Sequence, residues 1–172
     1  MSIPKVIHYC WFGKGELPKL AKKCIKSWKK YCKGYEIKEW NEDNFDVNII
    51  PYTREAYEAK KYAFVSDYAR FWILYNHGGI YFDTDVEVIK PFDDIIQEGP
   101  WMGYESDLTT HYTNGAINPG LGFGCKANMP IIKYILDNYS NLHFCKNGKY
   151  NLKTILAYTT EAFIENGLKI ED

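Results

Sequence analysis

The sequence predicts an α/β fold, with a mostly parallel central sheet flanked by helices. Two observations carry this. Over the first half of the chain, short apolar runs alternate with longer stretches of helical apolar spacing, in the order β-α-β-α-β. Strands joined through helices run parallel, with crossover connections. In addition, 172 residues of which 46% are hydrophobic suffice for one core, so a single domain over 1–172 is expected.

Residues 3–12, IPKVIHYCWF, read as the first strand, and their near-continuous apolar character suggests burial on both faces. Gly13 and Gly15 mark the turn that follows. A helix is predicted over 18–31, because Leu17, Leu20, Ala21, Cys24, Ile25, Trp28, Tyr31 and Cys32 make one apolar stripe. Lys19, Lys22, Lys23, Lys26, Lys29 and Lys30 fill its other face. That face reads either as a solvated surface or as a contact with an anionic membrane. Residues 35–40 read as the second strand, and 41–53 as a polar, turn-rich stretch. One long helix is predicted over 54–75, stopped by Gly78-Gly79. Residues 80–83 are the third strand, and Pro91 ends the segment after it. A short strand is predicted over 101–104, and an irregular or hairpin-like stretch over 111–124, where Gly115, Gly120, Gly122 and Gly124 cluster. Helices follow over 130–139 and 152–166.

Composition bounds the function. Lys+Arg 21 against Asp+Glu 22 gives a formal charge of −1, which argues against a nucleic-acid binder dominated by phosphate contacts. No apolar run reaches the length that spans a bilayer, and the N-terminus lacks the pattern of a signal peptide. A cytoplasmic protein is expected, with peripheral contact at the inner face of the membrane as an option. Five cysteines, an odd count without a CxxC pair, read as buried reduced thiols. The four histidines lack metal-ligand spacing. Aromatic residues make up 17% of the chain, which suits a packed core and also suits stacking on a base or sugar.

Ligands on a parallel sheet bind beyond the strands' C-terminal ends, which directs attention to 9–13, 40–41 and 83–85. Asp83 and Asp85 sit two apart at the end of a buried strand, and in extended backbone they would point the same way. Two carboxylates that close call for a cation, and a hard divalent ion would recruit phosphate oxygens as further ligands. A surface loop that happens to carry D-x-D is the alternative. Asp67 and Arg70 share a helix face among strongly apolar neighbours, either as a plain helical ion pair or as a pair aimed at sugar hydroxyls. Trp11 stands at the ligand edge of the first strand, where it either stacks on a base or belongs to the core.

Residues 3–13 (IPKVIHYCWFG), 63–70 (AFVSDYAR) and 74–85 (LYNHGGIYFDTD) together resemble glycosyltransferase family 32, the DXD-motif sugar-transferases that include capsular-polysaccharide and outer-chain mannosyltransferases. The glucosylating bacterial toxins are more distantly similar. The combined S-D-x-x-R and G-G-I-Y-x-D-x-D pattern carries the likeness, which covers roughly 3–92 and, weakly, Asn118-Pro119-Gly120. The resemblance implies a GT-A fold, a nucleotide-sugar-binding part over about 3–92 and a remainder over 93–172. It implies metal-dependent, retaining transfer of a hexose from a UDP- or GDP-sugar to a saccharide or lipid-linked acceptor, in surface or capsular polysaccharide synthesis. By position, Trp11 would stack on the donor base, Ser66, Asp67 and Arg70 would hold the donor sugar, and Tyr81 would lie near sugar or ribose. Asp83 would contact ribose or sugar, partly through the metal's water, and Asp85 would be the direct ligand to Mn2+ or Mg2+. Asp67, Arg70, Asp83 and Asp85 form the implied catalytic set. Longer family members carry a further segment, with a His or a Ser-Trp pair that completes the metal site, and no equivalent is found here. Either the chain is C-terminally truncated, or the site is completed differently, or a partner supplies the rest, and an inactive or partner-dependent donor-binding module is one alternative reading. The other alternative is a haloacid-dehalogenase-like phosphatase, whose nucleophile motif also begins D-x-D, as Asp83-Thr84-Asp85 does.

Overall fold

The computed structural model of the protein describes residues 2–105 and 115–169. The chain begins with β1 (Val6–Cys10), α1 (Lys19–Tyr31) and β2 (Glu36–Trp40), close to the expected bounds. The strand predicted over 3–12 is shorter than its apolar run, although the Trp11 amide still donates to the Trp40 carbonyl, extending the pairing by one residue. Instead of one helix over 54–75 there are two, α2 (Pro51–Glu58) and α3 (Tyr62–His77). Lys60 adopts φ 57 between them, a left-handed turn that no helix continues through. Pro51 opens α2 at its first turn, where its missing N–H costs nothing.

After α3 come β3 (Gly79–Tyr81), α4 (Asp93–Gln97), β4 (Trp101–Met102) and β5 (Tyr104–Glu105). They are followed by β6 (Ala116–Ile117), β7 (Phe123–Cys125), α5 (Pro130–Ser140), β8 (Cys145–Lys146), β9 (Lys149–Tyr150) and α6 (Ile155–Glu165). The strand expected over 101–104 divides at Gly103 between two sheets. The stretch 115–124 is no hairpin, because β6 pairs with β5 while β7 enters the main sheet; residues 111–114 lie outside the described ones. The β8–β9 hairpin turns on Asn147-Gly148, both at positive φ (53 and 74), the dipeptide such turns favour.

The main sheet has the order β2-β1-β3-β7-β4. β2, β1 and β3 are mutually parallel, β7 is antiparallel to β3, and β4 is antiparallel to β7, so β7 alone is reversed. The period-two alternation of the strands sorts the core into two layers. Ile7, Tyr9, Ile80 and Phe82 pack under α1 against Cys24, Ile25 and Trp28. Cys10, Tyr81, Phe123 and Cys125 pack on the other side with residues of α2, α3, α5 and α6. All five cysteines are free, and Cys145 is the one not fully buried. Among the described residues, no helix is long and apolar enough to cross a membrane.

His8 is locked into this sheet. Trp40 Nε1 donates to its Nδ1 at 3.0 Å, which leaves Nε2 to carry the proton to the Gly78 carbonyl at 3.0 Å. Burial holds its pKa down at about 4. A charge-free His8 therefore contributes stability that is complete above about pH 6.5 and is lost as the pH falls towards 4. The stability advantage of the wild type over His8→Gln, followed by urea unfolding, is expected to shrink by about 1.4 kcal/mol between about pH 7.5 and pH 5.5. A constant difference would mean that His8 does not titrate in this range.

Candidate active site

The C-terminal ends of β1 and β3 open onto a cleft of about 1020 Å³. Its walls come from the loop after β1, the first turn of α1, one face of α3, the turn after β3, the 118–121 loop and the first turn of α6. Helical spacing puts Ser66, Asp67 and Arg70 on the cleft side of α3. The Gly13 amide donates to Glu42 Oε1 at 2.6 Å, and the Tyr57 hydroxyl donates to the same oxygen at 2.8 Å. Gly13, at φ 95, lies against the Tyr62 ring with no room for a Cβ, which fixes the course of the loop that carries Trp11.

Arg70 is the hub. Nη2 donates to Asp67 Oδ1 at 2.9 Å, Nη1 to Asp83 Oδ2 at 3.1 Å, and Nε to the Ser66 carbonyl at 3.1 Å. The guanidinium also sits 4.9 Å from the centre of the Tyr81 ring. It is 3% exposed, and burial opposes its charge, but Asp83, Tyr81 and Asp67 hold it firmly protonated. Burial pushes the Asp67 carboxyl up to about 6, with Arg70 opposing and Asp83 adding to the rise. The Ser66 hydroxyl donates to the Tyr62 carbonyl at 3.2 Å. The nearby Cys10 thiol is pushed up to about 12 by burial, so it stays neutral and offers no nucleophile.

The Asp-Thr-Asp motif is a turn rather than extended backbone. β3 ends at Tyr81, Thr84 and Asp85 form the turn, and the Val86 amide closes it onto the Asp83 carbonyl at 3.1 Å. The extended geometry expected between the two carboxylates is therefore absent. Asp83 turns inward, with Oδ2 on Arg70 and Oδ1 accepting from the Tyr81 hydroxyl at 3.1 Å. Asp85 is exposed in the cleft and has no ion-pair partner among the described residues. Each Asp83 oxygen thus already accepts one hydrogen bond, from Arg70 or from Tyr81.

Trp11 lines the cleft half-buried, with Nε1 donating to the Gly15 carbonyl at 2.7 Å, so its indole N–H is already engaged. Tyr81 is not part of the lining. It is 1% exposed and supports Asp83 from beneath. The structure thus brings Trp11, Ser66, Asp67, Arg70, Asp83 and Asp85 to one cleft and sets Tyr81 under its floor.

The cleft is also lined by Asn118 and Gly120, where the likeness is weak, and by Leu121, Ile155 and Leu156, which sequence reasoning misses. Asn118 Nδ2 donates to Glu105 Oε2 at 2.7 Å, and its Oδ1 accepts from the Gly120 amide at 2.8 Å. A Cβ at Gly120 would lie 2.5 Å from Asp83 Oδ2, so this loop presses backbone directly on the acidic centre. The Asn-Pro-Gly turn signal marks this loop in the sequence, whereas Ile155 and Leu156 carry no local signal.

The charge balance of the cleft defines what it can bind. Among the described residues its lining holds Asp67, Asp83, Asp85 and Glu87 against Arg70 as the single basic residue, with Lys23 reaching Glu87 at 2.9 Å. An anionic phosphate entering such a lining needs a cation beside it. Among the described residues, no group of three or more His, Cys, Asp or Glu side chains is placed to hold a metal. The donor set fits an ion of the Mg2+ type, which takes one or two carboxylates and completes its shell with phosphate oxygens and water.

Residues 18–101 match the family described as the glycosyltransferase sugar-binding region containing a DXD motif. An uncharacterized glycosyltransferase of Acanthamoeba polyphaga mimivirus is 33% identical over 144 residues, 79% of this chain and 55% of that protein. Inositol phosphoceramide mannosyltransferase 3 of Schizosaccharomyces pombe is 26% identical over 167 residues, 95% of this chain and 44% of that protein. The chain thus spans about half the length of the curated relatives it matches. Among solved structures, the PaToxG glycosyltransferase superposes with a TM-score of 0.66 at 20% identity, over 96% of this chain and 70% of that one. A transferase mutant superposes with a TM-score of 0.55 at 9% identity, over 96% and 87% of the two chains. These two share the fold, a mixed α/β architecture of the GT-A kind. The matched sugar-binding region over 18–101, the sequence relatives and the shared fold agree with one another, and together they support a glycosyltransferase of the DXD type.

Proposed function

We propose that the cleft is the donor site of a metal-dependent, retaining hexosyltransferase that uses a UDP- or GDP-sugar and a saccharide or lipid-linked acceptor. The observation that carries this is the pairing of an exposed, uncompensated Asp85 with an Asp67–Arg70–Asp83 cluster in one acid-rich cleft. Asp85, with Asp83 behind it, would hold Mn2+ or Mg2+. Bound there, the ion supplies positive charge to the departing nucleoside diphosphate. Asp67 offers its remaining carboxylate oxygen and Arg70 its outer edge to sugar hydroxyls, while Ser66 completes that side. Tyr81 fixes Asp83, and Trp11 offers a flat face to the base. The lipid-linked acceptor draws support from the mannosyltransferase relatives, whose name gives inositol phosphoceramide as acceptor. Retention of configuration and a role in surface or capsular polysaccharide synthesis rest on the family resemblance alone.

Thermal unfolding with UDP, GDP and their hexose conjugates, each with and without manganese, tests this. A stabilisation that needs nucleotide and metal together is expected, and no stabilisation with any pair would refute the donor site. Trp11→Ala is expected to weaken nucleotide binding by about 1–3 kcal/mol, the scale of base–aromatic stacking. Unchanged nucleotide affinity would return Trp11 to a packing role. Saturable donor binding without slow donor hydrolysis or transfer would instead support a binding module.

A further inference from the structure

We infer that the lysine face of α1, together with the exposed tip at Ile89, docks the protein on an anionic lipid surface beside the mouth of the cleft. The docking stands on its own observations; that it serves a lipid-borne acceptor rests on the function proposed above. Lys19, Lys22, Lys23, Lys26, Lys29 and Lys30 are all exposed, and α1 contains no acidic residue. At 100° per residue the six lie within an arc of about 120°. Cys24, Ile25 and Trp28 on the other side are buried under the sheet, so the stripe points away from the core. Among the described residues only Lys23 of the six has an ion-pair partner, Glu87. The whole chain carries a formal charge of −1, so this is a local concentration of charge on one face.

A second observation selects lipid among polyanions. Ile89 is 75% exposed and, with Lys23, Lys26 and Lys30, borders one shallow hollow of about 240 Å³. A face that meets headgroups draws on both, the lysines through anionic charge and the apolar tip by entering the acyl boundary. A nucleic-acid backbone offers the tip nothing.

The face is also joined to the site. The Trp28 indole donates to the Val86 carbonyl at 2.8 Å, and the Val88 amide donates to Ser27 Oγ at 2.9 Å. With Lys23–Glu87, these bonds fasten the segment that follows Asp85 onto α1. Pro18, Leu20 and Ala21 at the start of α1 line the cleft itself, and Leu20 is 56% exposed at its rim. A protein lying on this face presents the cleft rim at the level of the headgroups.

The test is co-sedimentation of the full chain with vesicles of phosphatidylcholine, with and without phosphatidylserine, at about 0.1 M salt. Binding to the phosphatidylserine vesicles alone, released by added salt, is expected. Each lysine contributes roughly fivefold to such partition, so Lys22→Gln/Lys26→Gln/Lys30→Gln is expected to lower it by about a hundredfold. Ile89→Ser is expected to lower it by roughly tenfold. The triple variant should keep the wild-type melting temperature and nucleotide-plus-manganese stabilisation, so a missing donor site is seen separately from missing docking. A wild type that stays in the supernatant, a triple variant that sediments like the wild type, or retention on duplex DNA without vesicle binding would each overturn the inference.

Discussion

Arg70→Met is expected to lose roughly 3–5 kcal/mol of folding stability, the cost of removing one partner from a buried ion cluster. That is a large share of the total stability of a domain, about 5–15 kcal/mol. The physical reason is what stays behind. Asp67 is 8% exposed and loses the one cation that opposes its desolvation, while Asp83 keeps only the Tyr81 hydroxyl. The buried carboxyl can escape by taking up a proton, so Asp67→Asn in the same background should recover part of the loss. Chemical denaturation of the two variants and the wild type reads both effects. An Arg70→Met protein within about 0.5 kcal/mol of the wild type would mean that the cluster is not held as the structure shows.

Asp85→Asn is expected to do the reverse, sparing the fold and abolishing the ligand response. Asp85 is exposed and unpaired among the described residues, so its change should move stability by no more than about 0.5 kcal/mol. Stabilisation by nucleotide with manganese, about 2.7 kcal/mol at a hundredfold excess over Kd, should disappear from the variant. Calorimetric titration of manganese in the presence of nucleoside diphosphate checks the same point directly. Metal-dependent binding of normal strength in Asp85→Asn would remove Asp85 from the metal site. The contrast between the two carboxylates of one motif is the informative part, since Asp83 is committed to the fold and Asp85 is not.

What the sequence makes legible is what each segment decides for itself. β1, α1 and β2 stand close to their expected bounds because the apolar pattern of each lies within its own residues. The division of 54–75 into α2 and α3 turns on the left-handed Lys60, a residue type that gives no warning of that conformation. The Asn147-Gly148 hairpin is written plainly in the sequence, but its strands are too short to show alternation. β7 is not legible at all. Phe-Gly-Cys becomes a strand because β3 and β4 supply its partners. The candidate site divides in the same way. Asp67, Arg70, Asp83 and Asp85 are picked out by the spacing of one compact pattern, whereas Leu121, Ile155 and Leu156 reach the cleft only through tertiary packing. Even within the pattern, the inward and outward turns of the two carboxylates follow from Arg70 and Tyr81, which the D-x-D spacing does not specify.

The place of β3 in the sheet has a consequence for how the site comes into being. β3 lies between β1 and β7, and both of these fall outside residues 18–101, the stretch that matches the sugar-binding family. Cut out alone, that stretch would leave its central strand with two open edges and its acidic turn without a floor. The family pattern thus marks a unit of recognition rather than a unit of folding. On the ribosome, Asp83 and Asp85 emerge well before Phe123–Cys125, and pairing across that separation belongs to the slow, non-local part of assembly. The acidic turn after β3 thus gains its full sheet support only once the reversed strand has closed beside it.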